Sequence, residues 1–196
     1  MKRGWIVAGA VVLAVLLAYG WVKSTYNGLV AAEERVVQAW ANVESAYQRR
    51  ADLIPNLVET VKGYAAHERE VLTEVTRARS RVGRVTVTAE GLTPEAIRRF
   101  GEAQQGLSGA LSRLLAVAER YPDLKASQNF LDLQTQLEGT ENRINVARTR
   151  YNEAARAYNT RIRSFPANLF ARAFGFEPKP YFQADEGAER APKVRF

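Results

Sequence analysis

The sequence predicts an all-α protein: an N-terminal transmembrane helix followed by an up-down antiparallel four-helix bundle. Three observations carry this prediction. GWIVAGAVVLAVLLAYGWV, Gly4 to Val22, is an apolar run without a charge. Later segments repeat apolar residues at alternating three- and four-residue spacings, the mark of a helical stripe. No segment sustains strand alternation; Val85-Thr86-Val87-Thr88 alternates but is too short.

The 196 residues carry a formal charge of +7, and 25% charged with 46% apolar residues is a folding composition. Excess positive charge points to anionic partners, phospholipid headgroups or nucleic acid, without choosing between them. There is no cysteine, so disulfides and thiolate metal sites are excluded.

The first element is the apolar run. At about 1.5 Å per residue it reaches roughly 28 Å, the thickness of a bilayer's hydrocarbon core. Trp5, Tyr19 and Trp21 sit near its ends, where interfacial aromatics belong. Ala18-Tyr19-Gly20 would serve as a signal-peptide cleavage site. The run is longer than a usual h-region and amphipathic helix follows at once, so residues 1–25 read as a retained anchor. Lys2 and Arg3 before the run, against Lys23 and Arg35 partly offset by Glu33 and Glu34, lean toward a cytoplasmic N-terminus with the body outside. Ala10, Ala14 and Ala18 form a small-xxx-small ladder that permits close approach of a second copy.

The bundle is expected over residues 26–165. Leu29, Val36 and Val43, with Ala32, Ala39 and Ala46 between them, mark the first amphipathic helix. Leu57, Val58, Val61, Ala65, Leu72, Val75 and Ala78 mark the second. Pro55 lacks an amide hydrogen and biases its predecessor out of the α region, so it is expected to separate these two helices as a hairpin. Residues 83–91 break the pattern. Thr93-Pro94-Glu95 opens a third helix with a capping hydroxyl, a first-turn proline and an acid at the positive dipole end. Its stripe runs Ile97, Phe100, Gln104, Leu107, Leu111, Leu114, Ala118 and Tyr121. A fourth helix, from about Leu124 to Ser164, carries a seven-residue comb: Phe130, Leu137, Ile144, Tyr151, Tyr158 and Phe165. Residues 166–182 read as a short aromatic amphipathic segment, with Pro166 at its start and Gly175 past its helical end. Residues 183–196 read as a flexible tail.

Four blocks carry a resemblance: YNGLVAAEERVVQAWANVE, RRADLIPNLVETVKGYAAHEREVL, YPDLKASQNFLDLQTQLEGTENRINVARTRYNEAARAYNTRIRSFP and FGFEPKPYF. In this order they are similar to the LemA family, over nearly the whole chain. The resemblance implies a bacterial single-pass protein of the inner (cell) membrane with an all-α body. Some relatives shape or mature magnetosome membranes, and others are encoded beside an HtpX-type membrane metalloprotease. Family topology is often drawn with the body in the cytoplasm, against the charge argument above, and the side of the membrane stays open.

The family block contains His67-Glu68, part of "HERE". A zincin helix needs a second histidine four residues on, but that position is Val71 and the chain has one histidine. With no nucleophile-base pair, metal set or phosphate loop visible, the expectation is no catalytic, cofactor-binding or metal-binding residue, and no cofactor. Two non-catalytic constellations stand out. Asp52, Gln104, Glu141 and Arg148 lie beside apolar stripes and are expected to form a structural polar network that fixes helix register. Arg77, Arg79, Arg81, Arg84, Arg98, Arg99 and Arg163, with Phe170 and Phe174, are expected at the membrane-proximal end, attracted to anionic lipid. That placement of the arginines depends on the Pro55 hairpin. The resulting reading is a non-enzymatic membrane-anchored scaffold that self-associates as a homo-oligomer and organises membrane or partner proteins in the bacterial envelope. The alternative is an accessory subunit or adaptor of an HtpX-type protease in membrane quality control. Nucleic acid is not an expected partner, since only charge supports it.

Overall fold

The computed structural model describes residues 2–89 and 91–183, and all regular structure among them is helical. The helices are α1 (Lys2–Tyr64), α2 (Arg69–Val82), α3 (Pro94–Ala118), α4 (Pro122–Lys125), α5 (Gln128–Arg163) and α6 (Ala167–Ala173). The chain forms two compact units. One comprises Met1–Ala39 with Glu153–Lys179; the other comprises Trp40–Asn152 with Pro180–Phe196. The expected tail lies outside the described residues from residue 184 onward.

In the first unit, α1 begins with the apolar run, and every residue from Arg3 to Trp21 is exposed. Its 18-residue apolar window has a mean hydropathy of 2.2, long and apolar enough to cross a membrane. Burial starts at Leu29 and continues through Ala32, Val36 and Ala39, joined by Ala155, Tyr158 and Ile162 from α5. Phe165, the last tooth of the expected comb, is not core: it is 80% exposed. After a cis Phe165-Pro166 bond the chain enters α6. The Phe176 amide donates to the Ala171 carbonyl at 2.9 Å and Gly175 takes φ +77°, which closes α6 in a Schellman motif that favours glycine. Gly28 marks a close approach. A Cβ there would lie 2.0 Å from Nη2 of Arg161, so the guanidinium crosses α1 at this glycine and a side chain would push it aside.

In the second unit, Ile54, Leu57 and Val61 of α1 meet Leu72, Val75 and Ala78 of α2, Leu107, Leu111 and Leu114 of α3, and Phe130 and Leu137 of α5. Thr93 caps α3, its hydroxyl accepting from the Ala96 amide at 3.1 Å, with Pro94 in the first turn as the sequence predicts. The hairpin expected at Pro55 does not form. α1 continues through the proline to Tyr64, and the chain reverses at residues 65–68, where the Glu68 amide donates to the Ala65 carbonyl. Two effects outweigh the local bias against helix. Proline in a helix interior costs about 3 kcal/mol, while each fully buried Leu or Ile contributes about 1.5–3 kcal/mol, and Ile54, Leu57 and Val61 all lie within two turns of it. The second is specific. The carbonyl that Pro55 leaves without an amide donor is that of Ala51, four residues back, and Nε of Arg79 donates to it at 3.0 Å.

Candidate functional site

Three constellations come together in the folded chain. The first is polar. Arg50, which sequence reasoning did not single out, is 3% exposed. Its Nη1 donates to Oγ of Ser108 and to Oε2 of Glu141, both at 3.0 Å. Its Nη2 donates to Oε1 of Gln104 at 2.5 Å, and its guanidinium lies 5.1 Å from the ring centre of Tyr47. Of the four residues expected in a polar network, Gln104 and Glu141 therefore meet on Arg50. Asp52 does not join them: it is exposed and accepts from Gln48 on its own helix. Arg148 lines the same cavity, of about 690 Å3, but donates to the Gln183 carbonyl at 2.9 Å. Nε of Arg50 and Nε2 of Gln104 are enclosed without an acceptor among the described residues. This centres the expected register-fixing network on Arg50, a buried cation held by one carboxylate and neutral acceptors from α3 and α5.

The second constellation is aromatic, also in the second unit. Trp40 is fully buried and donates from Nε1 to the Val87 carbonyl at 2.9 Å. Phe100 and Tyr151 meet it edge-on at 5.5 and 5.6 Å, and Phe182 stacks on it at 5.9 Å. Phe182 comes from the extended stretch after α6. Asn152 holds it by both backbone groups: the Phe182 amide donates to Oδ1 at 2.9 Å, and Nδ2 donates to the Phe182 carbonyl at 3.1 Å. The Tyr151 hydroxyl donates to the Pro180 carbonyl at 2.9 Å, and burial pushes that hydroxyl's pKa well above the usual tyrosine value. Arg148 covers the outer face of Phe182, its guanidinium 5.2 Å from the ring centre.

The first unit repeats the asparagine arrangement once. Asn159 accepts from the Lys179 amide at 2.8 Å and donates to the Lys179 carbonyl at 2.7 Å. The Lys179 ammonium pairs with Glu33 at 2.7 Å over the ring of Tyr158. The Tyr158 hydroxyl is pushed up to about 12, by burial first and then by the charges of Glu33 and Glu177. Sequence reasoning missed Asn152 and Asn159, although a signal existed. The dipeptide Tyr-Asn recurs at 151–152 and 158–159, so a polar residue follows each of two core tyrosines at one heptad's spacing.

The third constellation is the aromatic cluster of α6. Phe170 meets Trp21 edge-on at 5.2 Å, and Phe174 and Phe176 meet Tyr26 at 5.1 and 5.7 Å. Phe170 and Phe174 thus meet rings of α1, Phe174 remaining 49% exposed, and Phe165 and Leu169 are exposed beside them, the latter by 62%. Arg163 is exposed in the same unit and donates to the Asn159 carbonyl.

The remaining arginines expected at the membrane end, Arg77, Arg79, Arg81, Arg84, Arg98 and Arg99, are exposed residues of the second unit, which does not contain the apolar run. With the Pro55 hairpin gone, the reason for assigning them to the lipid end goes too. Arg98 pairs with Glu95 and Glu102 and Arg99 with Glu95, ordinary exposed helix-surface pairs. His67 is exposed, and its neighbour Glu68 accepts from Arg120 at 3.0 Å and from the Tyr121 hydroxyl at 3.1 Å. Those contacts tie the turn after α1 to the turn after α3, a structural use of the acid.

Comparison with known proteins agrees with this architecture. Residues 39–196 match the profile of the LemA family. Magnetosome proteins MamQ 1 and MamQ 2 of Paramagnetospirillum magneticum are 30% identical over 189 residues, covering 88% of this chain and 70% of theirs. Protein LemA of Metamycoplasma hominis is 27% identical over 160 residues, covering 82% of this chain and 69% of its own. With its exposed apolar helix and its all-helical body, the chain belongs to the LemA family.

Proposed function

We propose that this protein is a single-pass, membrane-anchored helical scaffold of the bacterial inner membrane, which self-associates and organises lipid or partner proteins. One observation carries the reading. The α6 aromatics close on Trp21 and Tyr26, at the end of the apolar run, and leave Phe165 and Leu169 outward. An interfacial segment has this form: apolar side chains next to the span, with cations around them. The cations are Lys23, Arg161, Arg163 and Arg172, and no acid occurs within residues 19–32 or 160–176. Each basic residue near an anionic surface contributes about 1 kcal/mol of attraction. The lipid-facing set is therefore Arg163 with its basic neighbours, Phe165 and Leu169, while Phe170 and Phe174 act as the packing that holds them. The name of the MamQ relatives, magnetosome proteins, joins this reading to a membrane-bounded compartment. The span supplies the anchor, the α6 cluster fixes the body at the interface, and the helical body carries the protein contacts.

The absence of cysteine makes a direct test available. Single cysteines at positions 165 and 169, and at exposed Lys62 as a control, are labelled with an environment-sensitive fluorophore in proteoliposomes. The expected result is blue-shifted emission and quenching by lipid-chain quenchers at 165 and 169 only. Equal quenching of all three by aqueous iodide overturns the interfacial docking.

A further inference from the structure

The Phe182 pocket has a construction that the scaffold reading does not use. Its ligand is a piece of the chain itself, Pro180 to Gln183, and side chains hold it. Asn152 grips both backbone groups of Phe182, Tyr151 takes the Pro180 carbonyl, and Arg148 takes the Gln183 carbonyl. An asparagine amide that pairs with a backbone amide and carbonyl reads extended peptide without regard to side chain. The Trp40, Phe100 and Tyr151 rings then select an aromatic residue at one position. This is backbone capture by side-chain amides combined with a pocket for one side chain.

From this geometry we infer that the pocket is an exchangeable peptide receptor, filled in the assembled protein by the Pro180–Gln183 segment of a second copy. Three observations support exchange. Receptor and ligand are both in the chain, so a second copy offers identical contacts and the swap replaces like with like. The lead into the segment, Glu177-Pro178-Lys179-Pro180, carries no helix, its two prolines favour extended backbone, and its hold on the body is through Lys179, whose bonds to Asn159 and Glu33 exchange would also pass to the second copy. A cavity of about 690 Å3 borders Pro180 to Gln183, giving an incoming chain a way alongside them. The inference rests on the self-association in the proposed function and gives it a structural route.

The test uses the full-length chain in detergent micelles. A labelled peptide of residues 177–183, EPKPYFQ, is titrated by fluorescence anisotropy into wild type and into Phe182→Ala, whose own segment leaves the ring pocket empty and competes through its backbone alone. Binding to Phe182→Ala at least tenfold tighter than to wild type is expected. A further loss of at least tenfold is expected when Asn152→Ala is added, and no binding of the peptide with its phenylalanine changed to alanine. If Phe182→Ala loses helicity by circular dichroism, Phe182→Leu replaces it. Absence of peptide binding by the folded variant overturns the receptor. For the second copy, Phe182→Ala chains with one tag are mixed with Asn152→Ala chains with another. Mixed capture several-fold above either variant alone is expected, because only the mixture pairs an intact pocket with an intact segment. Peptide binding without enhanced mixed capture overturns occupation by a second copy. Neither arm involves lipid, so failure here and failure of the interfacial docking register in different experiments.

Discussion

Residues 4–22 and residues 29–61 belong to the same helix, yet their apolar side chains meet opposite fates. From Gly4 to Trp21 every residue of the first stretch is exposed, with Leu13 at 59%, Leu16 at 61% and Leu17 at 66%. In the second, Leu29, Val36, Trp40, Val43, Leu57 and Val61 are fully buried on one side of the helix, while residues such as Glu34, Arg35 and Glu59 on the other side are exposed. Composition and pattern both differ, since the run has no charge and the second stretch sets charged residues between its apolar ones. A stripe repeating at three and four residues can be covered by neighbouring helices, whereas a helix apolar all round needs an apolar surrounding on every side. The chain provides that cover for the stripe and leaves the run exposed apart from the contact of Trp21 with Phe170. The same residue type therefore has different energetic meaning at two places on one helix, and under the proposed membrane anchoring a bilayer would supply the missing cover.

Substitution to alanine at matched sites sharpens this contrast and has the largest expected effect. Leu57→Ala removes methylenes from a closed core and is expected to lower stability by about 2–5 kcal/mol, the range for buried leucines. Leu13→Ala removes the same atoms from an exposed position and is expected to leave the helical body unchanged within about 0.5 kcal/mol. Urea unfolding of the detergent-solubilised protein, followed by circular dichroism, measures both. Equal losses at the two sites would mean that the run is packed by protein after all, and the contrast would disappear.

A second comparison is between two arginine environments in the second unit, and its expected effect is intermediate. Arg50 is enclosed and Arg98 is exposed, although each faces carboxylates. Glu141→Ala leaves the Arg50 charge enclosed with only neutral acceptors. Breaking a fully buried pair costs about 3–5 kcal/mol, but the Glu141 side chain is 52% exposed, so water screens the pair and the expected loss falls to about 1–2 kcal/mol. Glu95→Ala is expected to leave the unfolding midpoint where it was. Salt separates the two further, since ions screen the exposed pairs and reach the enclosed guanidinium poorly. A Glu141→Ala protein as stable as wild type would remove the register role assigned to Arg50.

The stripes and the run were legible in the sequence because periodicity and length are local properties, readable one window at a time. So were the Thr93-Pro94-Glu95 start of α3 and the Gly175 stop of α6, each of which needs only its immediate neighbours. Arg50 was not legible. It follows Arg49 in a charged stretch, and nothing local says which of the two guanidiniums turns inward; that depends on Gln104, Ser108 and Glu141, between 54 and 91 positions away. Phe182 was equally opaque, since EPKPYFQ has the composition of a loop and its burial is decided by Trp40 and Asn152. Pro55 was misread for the same kind of reason. Rules about proline describe the isolated backbone, and here the outcome was set by a side chain that arrives from another helix.

That side chain offers the smallest of these effects and the most specific test. If Arg79 compensates Pro55, the two residues must be coupled. Arg79→Ala leaves the Ala51 carbonyl without its donor, at an expected loss of about 0.5–1.5 kcal/mol for one hydrogen bond. Pro55→Ala restores an amide hydrogen in register with that carbonyl, so the backbone supplies the bond that Arg79 had supplied. In the Pro55→Ala background, Arg79→Ala is therefore expected to have almost no effect. The double-mutant cycle isolates this term, because loss of the arginine's charge and stem is common to both backgrounds and cancels. A full-sized loss in both backgrounds would mean that Arg79 stabilises α2 by itself, and that burial of Ile54, Leu57 and Val61 alone carries α1 through the proline.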